Sequence, residues 1–182
     1  MSNQTDDELM LAIQKKNELA YACLLRRHVD KVYAYMLKLT ANPDDAEDLV
    51  QETFLKVWNK STTYKVGRVR FTTWLFTIAH NKFIDLYRKN KDRKEVYEEQ
   101  ALTGKMEDLR RQEEKAHALS EGLSKLPENQ RVAILLSHSQ GFTNVEIATI
   151  LGSSVRAVES ILSRGRKTLR RLLKKKTSHD TH

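Results

Sequence analysis

The densest set of polar groups able to recognise another molecule lies near the C-terminus. Residues 143–166, TNVEIATILGSSVRAVESILSRGR, divide into two helical stretches around Gly152. Ile147, Ala148 and Leu151 share one side of the first stretch, and Val158, Ile161 and Leu162 one side of the second, at the spacing of a buried stripe. Ala148 lets the two helices approach, and Gly152 supplies a turn conformation that side chains resist. Thr143 and Glu146 have the spacing of a capping box, and Ser154 is placed to cap the second helix. Left outward with Ser154 are Arg156, Glu159, Ser160 and Ser163, followed by Arg164, Arg166 and Lys167. This is the layout of a helix-turn-helix, whose second helix presents its first turns to the major groove of DNA. There the arginines, the lysine and the hydroxyls can meet base edges or phosphates. Helix hairpins with a glycine turn also occur in proteins that never touch DNA. The outward cations are what favour DNA here.

A second outward face is acidic. The helix expected from about Asp44 to Asn59 turns Ala46, Leu49, Val50, Phe54, Val57 and Trp58 inward and leaves Glu47, Asp48, Gln51, Glu52 and Lys56 outside. Carboxylates on such a face repel DNA and suit a basic protein partner; a merely solvated helix face is the alternative. Residues able to catalyse a reaction are missing from the pattern: there is no phosphate-cradling glycine loop, no metal-ligand cluster and no cysteine–histidine pairing with a local signature. An enzyme is therefore not expected, nor any cofactor or metal. His80 lacks a partner at metal spacing and reads as an ordinary surface or packing residue. Cys23, in an apolar helical run, reads as a small buried hydrophobe.

The elements that must hold these faces are helical throughout. Only two prolines and six glycines interrupt 182 residues, of which 40% are hydrophobic, and strand-like alternation is hard to find. Helices are expected over 6–16, 18–40, 44–59, 72–89, 128–139 and from Ser154 through Leu173, with an ordered basic loop, KSTTYKVGRVRF, at 60–71. The fold class is all-α: two small helical domains, 1–90 and 112–176, joined by a charged flexible linker over 91–111 and followed by a tail, 177–182. The second is the helix-turn-helix domain. Charge is sorted along the chain. Residues 1–60 carry eight cations against ten anions, 61–94 nine against two, 95–128 five against nine, and 129–182 ten against three. Two basic segments parted by an acidic one suggest two contact regions for a polyanion. A single cysteine forms no internal disulfide and fits a reducing cytoplasm. Neither a signal pattern nor an apolar run of the ~20 residues needed to span a bilayer is present, so membrane insertion is not expected.

Two pairs of segments together resemble the extracytoplasmic-function group of bacterial sigma factors. They are DAEDLVQETFLKVW, ending at Trp58, with FTTWLFTIAHNKFIDLYR, from Phe71 to Arg88; and LPENQRVAILL, from Leu126 to Leu136, with the helix-turn-helix. The resemblance covers nearly the whole chain outside the linker and tails, and the motifs upstream of the helix-turn-helix make it specific.

The resemblance implies a factor that binds core RNA polymerase and directs it to promoter DNA. Asp48, Gln51 and Glu52 match positions that dock on the clamp of the largest subunit. The basic loop and the next helix match the part that binds the −10 element and the opening bubble: Tyr64, Phe71 and Trp74 supply rings amid Lys65, Arg68 and Arg70. A ring can offset the unstacking of a base by ~1–3 kcal/mol, although Trp74 could equally be core. Asn81 and Lys82 match −10 contacts, and Arg88 and Lys89 phosphate contacts. The helix-turn-helix residues match the reader of the −35 element, with three departures: Glu159 and Ile161 stand where basic residues are common, and Gly165 where alanine is. Glu159 either accepts from a cytosine amino group or pairs with Arg156. The acidic linker (Glu95, Glu98, Glu99, Glu107, Asp108) matches a segment that threads toward the active centre, or is simply solvated. An anti-sigma partner is implied by the resemblance alone. The competing function is a free-standing helix-turn-helix regulator, which would leave Asp48–Glu52 and the aromatic loop without a role.

Overall fold

The computed structural model describes residues 4–91 and 118–177, and over them it contains helices and connecting turns with no strand. Helices α1 (Asp6–Gln14), α2 (Glu18–Thr40), α3 (Pro43–Asn59) and α4 (Phe71–Lys91) form one compact unit. A second is built from α5 (118–124), α6 (Glu128–Ile134), α8 (Val155–Thr177) and most of α7 (Asn144–Leu151). The linker expected over 91–111 and the tail over 177–182 lie outside the described residues, save Lys91 and Thr177, which end α4 and α8.

In the first unit α1, α2 and α3 each begin where a side chain takes up orphan backbone N–H groups. Thr5 and Glu8 form a reciprocal capping box on α1. Asn17 caps α2, and Asn42 accepts from the amides of Asp44 and Asp45 ahead of α3, with Pro43 in its first turn. The apolar sides of the four helices meet in one core. Leu9, Met10 and Ile13 of α1 lie there with Leu24, Val32 and Met36 of α2, Phe54 and Val57 of α3, and Leu75, Ala79 and Phe83 of α4. Tyr35 and Phe76 meet edge to face at 5.3 Å between centroids.

Cys23, expected to be buried, is only half-buried, with its sulfur 4.0 Å from the Arg27 guanidinium. His80, read as a surface or packing residue, is a packing residue at 9% exposure. Burial lowers its pKa from the ordinary 6.5 to about 4, because a cationic ring would sit in apolar surroundings.

In the second unit the helix expected over 128–139 divides: α6 ends at Ile134, and a wider π turn runs from Leu135 to Ser139. Five consecutive residues, Val132 to Leu136, are buried. Such a segment is enclosed on all sides, so the amphipathic stripe of Val132, Leu135 and Leu136 understates its burial. The other helix of close approach is α8, whose Gly165 lies against α6. A Cβ there would come within 2.9 Å of Ile134 Cδ1 and 3.2 Å of Gln130 Cβ. That proximity gives a physical reason for glycine at this position.

Candidate functional site

Three outward surfaces carry the residues of interest. On α3, Asp48, Gln51 and Glu52 are all exposed, while Leu49, Val50, Thr53 and Phe54 face the core. Their spacing puts them on adjacent turns of one side, and Leu55 continues that side at 59% exposure. An exposed leucine beside three polar groups gives the face an apolar contact that charge counting missed. Glu52 Oε2 lies 2.7 Å from Lys82 Nζ of α4.

The basic loop is built differently from its sequence expectation. A short 3-10 turn, Ser61–Thr63, precedes Tyr64. The next residues fold as a β-turn in which the Arg68 amide donates to the Lys65 carbonyl at 3.2 Å and Gly67 takes φ +80°, a conformation that favours glycine. Lys65, Val66, Arg68 and Arg70 are exposed. Tyr64 and Phe71, expected as base-stacking rings, are core residues instead, at 1% and 3% exposure. The Tyr64 hydroxyl donates to Asp7, with the Val69 carbonyl 3.3 Å from the same oxygen, and the Phe71 ring packs on His28 and Tyr64. Burial, reinforced by the Asp7 carboxylate, holds the Tyr64 hydroxyl above the ordinary phenol range. It therefore stays protonated and donating. Neither ring can receive a base without unpacking the unit. Trp74, for which core was the alternative, is half-buried against both rings and retains an accessible surface.

Along α4, Trp74, Asn81 and Arg88 recur every seventh residue, so they share one side, with Asn81 and Arg88 exposed. Lys82 is turned about a quarter of the way round the helix from Asn81 and is held by Glu52. The structure brings Trp74, Asn81 and Arg88 into line and sets Lys82 apart from them.

The helix pair α7–α8 has the expected caps. Thr143 and Glu146 bond reciprocally, and Ser154 Oγ accepts from the Ala157 amide at 3.2 Å. Gly152 takes φ +58°, the left-handed conformation the turn requires. Val158 and Leu162 are buried, whereas Arg156, Glu159, Ser160, Ser163, Arg164, Arg166 and Lys167 are exposed. Among the described residues no ion pair joins Glu159 to Arg156. Arg164 Nε reaches back to the Ser160 carbonyl at 3.4 Å. Arg170 and Arg171, also exposed, extend the basic side beyond the residues singled out from sequence. Continuation of the apolar stripe through Leu169, Leu172 and Leu173 was the available signal.

Residues 24–93 match the family Sigma-70 region 2, and residues 116–169 match Sigma-70, region 4. EcfG of Rhodopseudomonas palustris, an ECF RNA polymerase sigma factor, is 36% identical over 80% of this chain and 80% of its own. The chain belongs to the extracytoplasmic-function sigma factors. It is a transcription initiation factor that directs RNA polymerase to promoters, not an enzyme. SigE of Mycolicibacterium smegmatis is 34% identical over 85% of this sigma factor, which spans 62% of the length of that relative. Among solved structures, the sigma factor RpoE in complex with the anti-sigma factor NepR from Bartonella quintana superposes with a TM-score of 0.68. It has 31% identity and covers 82% of this chain and 94% of that one. No helix among the described residues is long and apolar enough to cross a membrane.

Proposed function

We propose that this sigma factor divides its work among the three surfaces. The α3 face of Asp48, Gln51 and Glu52, extended by Leu55, docks on a basic surface of core polymerase. The turn bearing Lys65, Arg68 and Arg70, together with Trp74, Asn81 and Arg88 on α4, holds the −10 strand and assists its opening. The outward side of α8 reads the −35 duplex through Ser154, Arg156, Glu159, Ser160 and Ser163 near its start. Arg164, Arg166 and Lys167 follow, set for the backbone. Lys82 joins the −10 contacts only by giving up Glu52. An anti-sigma factor masks these surfaces when the factor is idle, and the cytoplasm is the site of action.

The observation that carries this assignment is the sorting of charge by helix face within each unit. The acidic side of α3 faces solvent while its apolar side enters the core, and the cations of α8 from Arg156 to Lys174 lie outward while Val158 and Leu162 are buried. Acid for a protein and base for a nucleic acid is the arrangement electrostatics favours. Trp74 is the accessible member of the ring cluster and the one suited to stack on an unpaired base. Purified factor with core polymerase should yield promoter-specific transcripts. Duplex binding by the factor alone, with no transcript from any promoter it binds, would favour the free-standing regulator.

A further inference from the structure

Helix α1 holds the entry to the basic turn by two contacts. The Gln14 carboxamide donates from Nε2 to the carbonyl oxygens of Ser61 and Tyr64, each at 3.0 Å. Nearer its N-terminus, Asp7 Oδ1 accepts the Tyr64 hydroxyl at 2.5 Å, and that hydroxyl also reaches the Val69 carbonyl at 3.3 Å. Tyr64 is where the turn leaves the core and Val69 is next to where it returns. Helix α1 thus holds the entry end of the segment from which Lys65 and Arg68 project, and the return end is reached only through Tyr64, whose hydroxyl oxygen lies 3.3 Å from the Val69 carbonyl.

The strut itself is fixed. Asp6 bonds Arg27 at 2.7 Å and His28 at 2.8 Å, the Thr5–Glu8 box closes its first turn, and Leu9, Met10 and Ile13 are buried. By contrast, the turn has one short-range backbone bond, from the Arg68 amide to the Lys65 carbonyl, and its residues from Lys65 to Arg68 are all exposed. The turn closes on its own backbone bond and on Gly67, while its entry at Ser61 and Tyr64 is anchored to α1.

We propose that α1 sets the geometry with which the turn meets the −10 strand, Gln14 and Asp7 being positioning residues for promoter recognition. The inference rests on the assignment of this turn to DNA made above. Removing the Gln14 carboxamide frees two carbonyls to rearrange. The turn then samples several conformations, and the matched strand loses its advantage over others. Docking through α3 and duplex reading through α8 do not depend on these bonds.

The test uses the full chain assembled with core polymerase. The probes are a single-stranded oligonucleotide carrying the non-template −10 sequence of a promoter the holoenzyme transcribes, and the same strand with its −10 bases replaced. Gln14→Ala should weaken the matched strand about tenfold, as two net hydrogen bonds allow. It should also narrow the matched-to-replaced ratio, with assembly and −35 duplex binding unchanged. Asp7→Ala should do the same, whereas Asp7→Asn, whose amide oxygen still accepts from Tyr64, should restore the ratio. An unaltered ratio in Gln14→Ala and Asp7→Ala overturns the proposal. Lys65→Ala with Arg68→Ala separates the layers. If that variant binds both strands as the parent does, the assignment of the turn to DNA fails and the proposal with it. If it loses binding while the α1 variants keep it, only the positioning role fails.

Discussion

Lys82 Nζ and Glu52 Oε2 lie 2.7 Å apart, so a cation of α4 and an anion of α3 form one ion pair where the two helices adjoin. Sequence assigned them to different surfaces, the glutamate to polymerase and the lysine to DNA. In space those surfaces share an edge. With Glu52 more than half exposed, the pair contributes at most ~1 kcal/mol to stability. Its loss on binding either partner is therefore inexpensive.

Exposure of the acidic side of α3 sets the first prediction. Asp48→Lys combined with Glu52→Lys should weaken assembly with core polymerase by about 100-fold or more, because like charges opposed across an interface cost several kcal/mol. The thermal midpoint should move by only a few degrees, since neither side chain is in the core. Assembly on a native gel together with a melting curve checks both parts. Normal assembly would remove α3 as the docking face.

For the −35 reader, position along α8 separates two kinds of contact. Arg156, in the first turn, should be base-directed, and Arg156→Ala should cost ~1–3 kcal/mol, concentrated at one base pair. Lys167, three turns on, should meet phosphate. Lys167→Gln should weaken all sequences alike and reduce the slope of log affinity against log salt by about 0.9. Binding titrations at several salt concentrations, on matched and substituted duplexes, distinguish the two.

Gly165 is set by packing. Gly165→Leu drives a side chain into Ile134 and Gln130 of α6, and overpacking of this kind costs about 1–3 kcal/mol. Chemical denaturation should show a lower midpoint, and DNA binding should fall with the loss of the folded second unit. A midpoint at or above that of the parent would mean that α6 can yield.

His80 makes stability depend on pH. Its folded pKa, about 4, lies below the unfolded 6.5, so the unfolded chain binds the proton first. The contribution is fully present above pH 6.5 and is lost as pH falls toward 4, by about 3 kcal/mol in total. Urea midpoints taken between pH 7 and 4.5 should decline, and His80→Phe should flatten that decline. An equal slope in the variant would place the titration elsewhere.

The helix-turn-helix, its two caps and the polarity of α3 were legible from sequence because each is a local pattern. Thr143 meets Glu146 and Ser154 meets Ala157 three residues away, and a helix face repeats every three to four. Tyr64 and Phe71 were misread because a ring among cations looks the same whether it serves a base or a core. What decides is Asp7, far upstream in sequence, and a neighbouring helix whose position no local pattern encodes. Gln14 was missed for the same reason, since its partners Ser61 and Tyr64 are distant along the chain. The extent of α6 burial was hidden because a segment enclosed on all sides has no polar stripe to report its orientation.

The enclosure of Val132–Leu136 separates what keeps the second unit folded from the surface proposed to read DNA. The buried core of that unit includes Val132–Leu136 together with Val158 and Leu162 on the inward side of α8, and none of these reaches the outward side of that helix. Exposed positions such as Arg156, Glu159 and Ser160 can therefore be exchanged at little thermodynamic penalty. On the proposed assignment of α8 to DNA, a lineage can retarget such a factor to new genes by drift on one helix flank, without first having to re-solve its folding.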